Sequence, residues 1–356
     1  MDIRLLLIPL GFAVIAVTLA DVVLTTLVLQ GGGPVTGPLG DRLWRLGLRL
    51  NHGRLGPSML SYAGVLIMLG IILLWVLFFF LGWNLIFFAQ DRAVLTSQTR
   101  LPADFSSRVY FVGYTIVTLG MGDYIPGPGV WQVLTAIASA SGYAVLGLSI
   151  SYLLPTISAA VSKRRLAGEI AGLGRTPGEI LINMWNGRDF KDLQHHLSSL
   201  GSGVLNLSEN YLAYPVLHYF HSNTPESAAP VSLAALDEAL TILEYAVPET
   251  LKLDRSSFVP ARGSFTSLLN SLNTAYIRAE NAPPLPNLEE LRKYGLPVCS
   301  EEELLARTGH LLGRRRLLLA LVENDGWSWE LLTRPLTALP TREGTNRLSG
   351  GPDPGL

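Results

Sequence analysis

The chain has 356 residues, of which 49% are hydrophobic and only 15% are charged, and its mean hydropathy is positive. These values lie outside the range of ordinary soluble domains and indicate a membrane protein. The net charge of −1 is uninformative about partners, the lack of a dense basic tract predicts no nucleic-acid partner, and the single cysteine, Cys299, excludes an intramolecular disulfide.

Charge is distributed unevenly along the chain. Residues 1–162 carry eight Lys or Arg and six Asp or Glu, whereas residues 163–356 carry 19 and 22. The first part is therefore predicted to lie in the membrane and the second part to be water-soluble in character.

Three segments with almost no charge are long enough for membrane helices, which need roughly 20 apolar residues. They predict spans at about 5–30, 59–89 and 130–160, with Asp21 as their only charge. A signal peptide cleaved after Ala20 is the alternative for the first span, but the apolar run continues past that point. Asp21 either has a functional role or faces protein, water or an interface, and the second interpretation is favoured.

The arginines predict the orientation. Residues 41–54 and 163–165 are rich in Lys and Arg, and both segments follow a predicted span, so both are expected in the cytoplasm. The N-terminus is then outside, the C-terminus is cytoplasmic, and the loop 91–108 is external. A prokaryotic plasma membrane is the expected location.

The first connector also has an amphipathic pattern around Trp44, with arginines and leucines each spaced three and four residues apart. They are Arg42, Arg45, Arg49, Leu43, Leu46 and Leu50. This pattern predicts a helix at the inner membrane surface that contacts lipids, including anionic ones. The alternative is a connecting helix whose charges only fix the topology.

Between the second and third spans lies a segment too short to cross a membrane. Val109 to Gly122 is uncharged, and Gly120 and Gly122 are separated by one residue. A half-length segment at membrane depth must be buried in protein or line water. The sequence predicts a short helix that ends before these glycines, after which Pro126 and Pro128 turn the chain outward.

The sequence of this segment, TLGMGD at 118–123 followed by Pro126, resembles the pore sequence of potassium channels, in particular that of two-pore-domain channels. Tyr110 and Thr115 also stand where those pore helices carry an aromatic residue and a threonine. The resemblance covers about 55–165. It implies a homotetramer that conducts K⁺ passively, with no enzymatic activity and no cofactor other than the permeant ion.

Carried over to this chain, the resemblance implies that the selectivity filter is formed by residues 118–122. These are Thr118, Leu119, Gly120, Met121 and Gly122. The carbonyls of the first four would bind K⁺, and the Thr118 hydroxyl would complete the innermost site. The implied supporting residues are Tyr110, Thr115 and Asp123.

Two residues depart from the family pattern. Met121 replaces a tyrosine or phenylalanine, and Leu119 replaces a stiffer valine or isoleucine, although neither changes the number of carbonyls. We therefore predict K⁺ selectivity with a less rigid filter, and side chains that pack behind it. A weakly selective cation channel and a membrane-anchored sensor or scaffold with a non-conducting pore remain the alternatives.

The third span should line the cavity below the filter. Gly142 stands where the family commonly has a gating hinge, Gly147 is a second flexible position, and Pro155 can kink the helix. The alternative is that the glycines only pack against neighbouring helices.

The predicted fold is an all-α membrane protein with three transmembrane helices, a re-entrant pore helix and filter, and a mostly helical cytoplasmic domain. The N-terminal and interfacial helices occupy 1–58, the pore domain 59–162, the cytoplasmic domain 163–334 and a disordered tail 335–356. The cytoplasmic domain is expected to modulate gating, although its ligand cannot be identified from the sequence.

Cytoplasmic helices are predicted from apolar periodicity and capping residues, with loops at 247–262 and 281–286. They are expected at 177–186, 189–201, 204–221, 231–246, 264–279, 287–294 and 301–323. Caps are predicted at Thr176 with Glu179, Asn287 with Glu290, and Ser300 with Glu303. The histidine pairs 195/196 and 218/221 either bind a metal or sense pH, or are ordinary packing and surface residues, which is the favoured interpretation.

Overall fold

The computed structural model describes residues 3–29, 32–51, 57–275 and 282–334. The whole predicted tail 335–356 and residues 276–279 of the predicted helix 264–279 therefore lie outside the described residues. Almost all regular structure in the described part is helical, as predicted.

The first half of the chain forms five helices among the described residues. They are α1 (Leu7–Leu27), α2 (Thr36–Asn51), α3 (Pro57–Phe88), α4 (Phe105–Ile116) and α5 (Val130–Ala171). By length and composition, α1, α3 and α5 are the helices of the described part that can cross a membrane. The three predicted spans are thus confirmed, and α2 and α4 lie where the interfacial and re-entrant helices were expected.

A short two-stranded ribbon was not predicted. Strand β1 (Val94–Thr96) pairs antiparallel with β2 (Tyr124–Pro126), so the segments before α4 and after the TLGMG stretch are joined. Strands of three residues are too short for a recognisable alternation, and the proline in β2 argues against a strand in the sequence.

The second half of the chain forms a helical domain around α8. Its helices are α6 (Pro177–Met184), α7 (Lys191–Ala213), α8 (Ala229–Tyr245), α9 (Arg255–Ala275), α10 (Leu288–Lys293), α11 (Glu301–Thr308) and α12 (Leu312–Asn324). Helix α8 is buried along its whole length from Ala229 to Leu243, which makes it the centre of the domain.

Two predicted boundaries are wrong because packing overrides local signals. Helix α7 continues through Gly201 and Gly203, where a break was predicted, since these glycines let Ala261 and Leu166 approach closely. It then ends at Ala213, and a 3₁₀ turn follows where the helix 204–221 was expected to continue.

Helix α9 starts at Arg255, inside the predicted loop 247–262, and contains Pro260. Its buried side chains, such as Phe265 and Leu268, pack in the core and compensate for the proline. The predicted helix 301–323 is likewise interrupted by a 3₁₀ turn that begins at Gly309.

The predicted caps are largely confirmed. The Thr176 hydroxyl accepts a hydrogen bond from the Glu179 amide, and the Ser300 hydroxyl accepts one from the Glu303 amide, each at 3.1 Å. Asn287 is the N-cap of its helix, as predicted, and its side chain accepts a hydrogen bond from the Glu289 amide at 3.0 Å.

Helix α5 continues without a break from the membrane-spanning part into the C-terminal helical domain. Its 42 residues span about 63 Å, roughly twice the thickness of the hydrocarbon core. Its last turns contribute Leu166, Ala167 and Ile170 to the core around α8. The predicted domain boundary at 162/163 therefore falls inside a single helix.

The intramembrane acid Asp21 is part of the packing between α1, α2 and α3. It is 1% exposed and its carboxylate accepts hydrogen bonds from the Val35 amide (2.7 Å), the Thr36 amide (3.2 Å) and the Trp75 indole (2.8 Å). Asp21 thus caps the start of α2, which agrees with the protein-facing interpretation.

Candidate functional site

The re-entrant helix α4 is fixed at its N-terminus by Asp104. The Asp104 carboxylate accepts from the Ser107 amide at 2.8 Å and from the Ser106 hydroxyl at 3.2 Å. Hydrogen bonds from Ser107 keep the pKa of Asp104 below its ordinary value, so this cap stays charged. A negative charge at this end of α4 complements the helix dipole.

Arg108, one turn into α4, anchors the helix to the end of α3. Its guanidinium is buried and donates to the carbonyls of Ala103 (2.9 Å), Gln90 (3.2 Å) and Asp91 (2.9 Å). The sequence assigned Arg108 only to the external loop, because nothing in the local pattern shows that three backbone oxygens converge on it.

The TLGMG stretch, residues 118–122, leaves the helix with a backbone whose φ angle alternates in sign, and we call it the filter segment. Thr118, Gly120 and Gly122 have φ values of 61°, 60° and 84°, whereas Leu119 and Met121 between them have no positive φ. A β-branched residue at positive φ is rare and costs of order 1–3 kcal/mol, so such strain points to a functional constraint. This is the alternation expected for successive carbonyls that point to one side.

Two backbone hydrogen bonds start this geometry at the end of α4. The Thr118 amide donates to the Thr115 carbonyl at 3.1 Å, and the Leu119 amide donates to the Tyr114 carbonyl at 2.8 Å. Thr115, a predicted supporting residue, is buried at this position. Its carbonyl therefore takes part in the turn into the filter segment.

Tyr114 fastens the far end of the filter segment and was missed by the sequence reasoning. Its buried hydroxyl donates to the Tyr124 carbonyl at 2.5 Å, and the Tyr124 hydroxyl accepts from Ser107 at 2.8 Å. The spacing of tyrosines at 110 and 114 was a usable signal, because both lie on one face of α4.

The other predicted supporting residues have different contacts. The Tyr110 ring packs against the rings of Tyr114 and Tyr124, at 5.1 and 6.2 Å between centroids. The Asp123 carbonyl accepts from the Ser97 amide at 3.0 Å, next to the β ribbon. Within one chain, the hydrogen bond across the filter segment runs from Tyr114 to Tyr124. The supporting roles of Tyr110 and Asp123 stay predictions.

The side chains of the filter segment do not pack behind it within one chain. Leu119 and Met121 are 62% and 53% exposed. The prediction that they pack behind the filter concerns an assembly of several chains, and it stays a prediction.

Two comparisons match these features. A family model described as "ion channel" matches residues 66–159, from within α3 through the filter segment and into α5. The chain is also 35% identical over 321 residues to the "uncharacterized membrane protein YdjJ" of Bacillus subtilis (strain 168), covering 90% of this chain and 94% of that protein. The chain belongs to the YdjJ family of membrane proteins and carries an ion-channel domain. No solved structure matches it.

Within the ion-channel domain, Gly142 is a close contact between α5 and α4. A side chain there would collide with the Ile116 carbonyl, so the glycine is required for packing. At Gly147, no atom of the described residues lies within 4 Å of where a Cβ would stand. Pro155 lies inside α5 without ending it. Hinge and kink roles for these three residues stay predictions.

The histidines lie outside the ion-channel domain. His195 and His196 are exposed, whereas His218 stacks on Tyr211 at 4.3 Å between ring centroids. Burial, reinforced by the nearby Lys163, lowers the pKa of His218 to about 3, so it is neutral at physiological pH. The described residues contain no group of three His, Cys, Asp or Glu side chains that could hold a metal.

Proposed function

We propose that the protein is a potassium-selective channel subunit that assembles as a homotetramer and conducts K⁺ passively. The observation that carries the proposal is the alternate positive φ at Thr118, Gly120 and Gly122, directly after a re-entrant helix between two spans. A ring of such segments from several chains presents carbonyls that replace the hydration shell of a monovalent cation.

In this proposal the ion-binding groups are the carbonyls of Thr118, Leu119, Gly120 and Met121, with the Thr118 hydroxyl at the inner end. Gly120 and Gly122 supply the left-handed conformation at no steric cost. The Tyr114–Tyr124 hydrogen bond and the β ribbon limit how far the segment can widen. No bond is made or broken during conduction, so no cofactor or catalytic group is required.

The exposed surfaces of a single chain support an assembly. Large apolar side chains on the membrane helices remain exposed, together with those of the filter segment, and a symmetric ring covers such surfaces with identical copies. They include Leu73, Leu77, Leu119, Met121, Ile137 and Tyr143. Cross-linking and mass measurement of the purified protein should give four chains per particle.

We also propose a prokaryotic plasma membrane with the N-terminus outside, the C-terminus in the cytoplasm and α2 on the inner leaflet. Trp44 of α2 is buried against protein, whereas Leu43, Leu46 and Leu50 are exposed. The arginines 42, 45 and 49 are exposed as well, which suits anionic headgroups. Removing all three arginine charges should reduce the amount of anionic lipid that co-purifies with the protein more than the amount of neutral lipid.

Flux through reconstituted protein tests the channel proposal. Under bi-ionic conditions K⁺ should permeate at least about tenfold better than Na⁺, equivalent to ~1.4 kcal/mol in the barrier. Equal permeability would indicate a weakly selective cation channel. Absence of flux from a correctly assembled tetramer would indicate a membrane-anchored sensor or scaffold with a non-conducting pore.

Gly120→Asp tests the assignment of the filter. The added side chain and charge should abolish K⁺ flux while the tetramer still assembles. Gly187→Asp is a matched control, because Gly187 also has a positive φ and open space around it but lies in the cytoplasmic domain. Unchanged selective flux through Gly120→Asp would show that the pore lies elsewhere.

A further inference from the structure

A buried ion pair connects the inner helix to the far end of the cytoplasmic domain. Lys163 Nζ of α5 lies 3.6 Å from Asp325 Oδ1, and the two side chains are only 4% and 6% exposed. Asp325 directly follows α12, so 162 positions of the sequence separate the partners. The pore resemblance predicts neither residue as functional.

The surroundings of Lys163 hold its ammonium group from several sides. It donates to the carbonyls of Leu217 (3.4 Å) and Phe220 (3.0 Å), and it lies 5.7 Å from the centre of the Tyr211 ring. Burial raises the pKa of the Tyr211 hydroxyl against the opposing effect of Lys163, so Tyr211 stays neutral. Asp325 is then the residue in contact with Lys163 that carries a compensating negative charge.

Asp325 lies in a turn that contacts other membrane-associated helices. We call residues 324–327 the junction turn. The Asn324 carbonyl accepts from the Trp44 indole of α2 at 3.1 Å. A Cβ at Gly326 would stand 3.2 Å from Leu48 of α2 and 3.3 Å from Leu60 of α3.

Inside the cytoplasmic domain, Asp325 is held by His221 and by Trp327, which belongs to the turn itself. His221 Nδ1 lies 3.5 Å from Asp325 Oδ2, and the Trp327 indole donates to that oxygen at 3.2 Å. The two rings stack at 5.1 Å between centroids. The junction turn is therefore a rigid unit at which α2, α3, α5 and the cytoplasmic domain meet.

The location of this pair distinguishes it from the other buried pairs in the described part of the chain. Arg315 with Glu238, and Arg262 with Asp237, join helices that belong entirely to the cytoplasmic domain. Lys163 instead belongs to the helix that forms the inner wall of the ion-channel domain. Separating Lys163 from Asp325 would leave two uncompensated buried charges, so α5 and the junction turn must move together.

We propose that the Lys163–Asp325 pair is a latch that couples the cytoplasmic domain to the inner helix and thereby controls opening of the pore. This inference rests on the proposed channel function. Displacement of α12 is transmitted through the latch to α5. The contacts of the junction turn with α2 also couple this displacement to the inner membrane surface. The latch is thus the contact through which the cytoplasmic domain regulates conduction.

The test compares single and double variants of the full-length protein in lipid bilayers. Lys163→Met and Asp325→Asn each leave one buried charge without its partner, whereas the double variant leaves none. Amide hydrogen exchange should become at least about a hundredfold faster near residues 156–171 and 320–332 in each single variant. In the double variant it should return most of the way to wild type, because paired effects in contact are not additive.

K⁺ flux should follow the same pattern. Each single variant should change the flux by at least about tenfold, a difference of ~1.4 kcal/mol, both in the same direction. The double variant should lie closer to wild type than either single variant. Arg165→Met and Glu323→Gln are matched controls two residues from each partner, since both side chains are exposed and should leave exchange and flux unchanged.

Faster exchange with unchanged flux would overturn the latch and reduce the pair to a structural contact, as would single and double variants with simply additive effects. A wild-type protein that assembles but conducts no K⁺ would instead overturn the proposed channel function. If neither single variant can be purified in folded form, Lys163→Arg and Asp325→Glu, which keep both charges but change the length of the contact, are measured instead. A changed K⁺ flux in these variants supports the latch, and unchanged flux overturns it.

Discussion

The filter segment and the C-terminal helical domain are ordered by different interactions. In the filter segment, the order comes from local backbone geometry, with positive φ at alternate residues and hydrogen bonds between near neighbours such as Thr118 and Thr115. In the C-terminal helical domain, it comes, in addition to the apolar core, from charged side chains that meet across long stretches of sequence. Arg315 and Glu238, for example, are 77 positions apart.

This difference predicts that separate sets of residues determine conduction and the stability of the fold. Substitutions in the filter segment should change conduction while leaving the fold intact, because its side chains are exposed in a single chain. Substitutions in buried charge pairs that lie wholly within the C-terminal helical domain, such as Arg315 with Glu238, should lower stability without changing conduction. The variants below test this separation, in order of decreasing expected effect on the free energy of unfolding.

Arg315→Leu should have the largest effect. The Arg315 guanidinium makes two hydrogen bonds to Glu238, at 2.7 and 3.1 Å, and both side chains are almost completely buried. Burial also raises the pKa of Glu238, against the opposing effect of Arg315. We expect a loss of about 3–5 kcal/mol in the free energy of unfolding, measured by thermal or chemical denaturation.

Arg316→Leu is the control for that measurement, because the neighbouring arginine is exposed. It should change the stability by no more than about 0.5 kcal/mol. Similar effects of the two substitutions would contradict the assigned role of the buried pair.

Asp21→Ala should have the next largest effect. It leaves the Val35 and Thr36 amides and the Trp75 indole without their acceptor, which should cost roughly 2–3 kcal/mol. Asp21→Asn keeps one acceptor oxygen and should cost less. Loss of K⁺ flux without loss of stability in Asp21→Ala would instead assign this carboxylate to conduction or gating.

Acidification should destabilise the protein through His218. The pKa of His218 is about 3 in the folded state and about 6.5 in an unfolded chain, so the unfolded state binds the additional proton between these values. Stability contributed by the neutral imidazole is present above pH 6.5 and falls as the pH decreases. Between pH 6.5 and 5 the loss should be up to about 2 kcal/mol.

His218→Phe keeps a ring against Tyr211 and should reduce this dependence of the melting temperature on pH. His195→Phe replaces an exposed histidine and should leave the dependence unchanged. Identical pH profiles of wild type and His218→Phe would refute the role of His218.

Tyr114→Phe should have the smallest effect on stability and the clearest effect on selectivity. It removes the hydrogen bond to the Tyr124 carbonyl, which is worth about 1 kcal/mol. The filter segment should then widen more easily, and the permeability of Na⁺ relative to K⁺ should increase in bi-ionic measurements.

Tyr110→Phe provides the comparison, because the Tyr110 ring contacts remain after removal of the hydroxyl. Its selectivity should match that of wild type. The opposite ranking of the two tyrosines would restore Tyr110 as the supporting residue that the sequence predicted.

The sequence predicted the membrane part well because the relevant signals are local. Apolar runs define α1, α3 and α5, and the glycine spacing in TLGMG predicts the alternating backbone. Residues whose role depends on distant partners were missed or misjudged. The convergence of three carbonyls on Arg108 and the contact of Lys163 with Asp325 become visible only when separate helices are brought together.

The same reason explains the wrong boundaries in the C-terminal helical domain. Gly201, Gly203 and Pro260 are local helix breakers, yet α7 and α9 continue through them because their packed faces stabilise the helical conformation. A glycine in a helix costs only about 1 kcal/mol relative to an alanine, and the burial of one large apolar side chain contributes more than that.

The distance in sequence between Lys163 and Asp325 has a consequence for biogenesis. Helix α5 is synthesised long before the residues that bury Lys163, so the ammonium group of the nascent chain stays in water until those residues fold. Burial of Lys163, and with it docking of α12, is therefore a late step of maturation. A subunit interrupted before residue 325 would insert its membrane helices but would not bury Lys163 beside its counter-ion, and its helical domain would stay open to proteolysis.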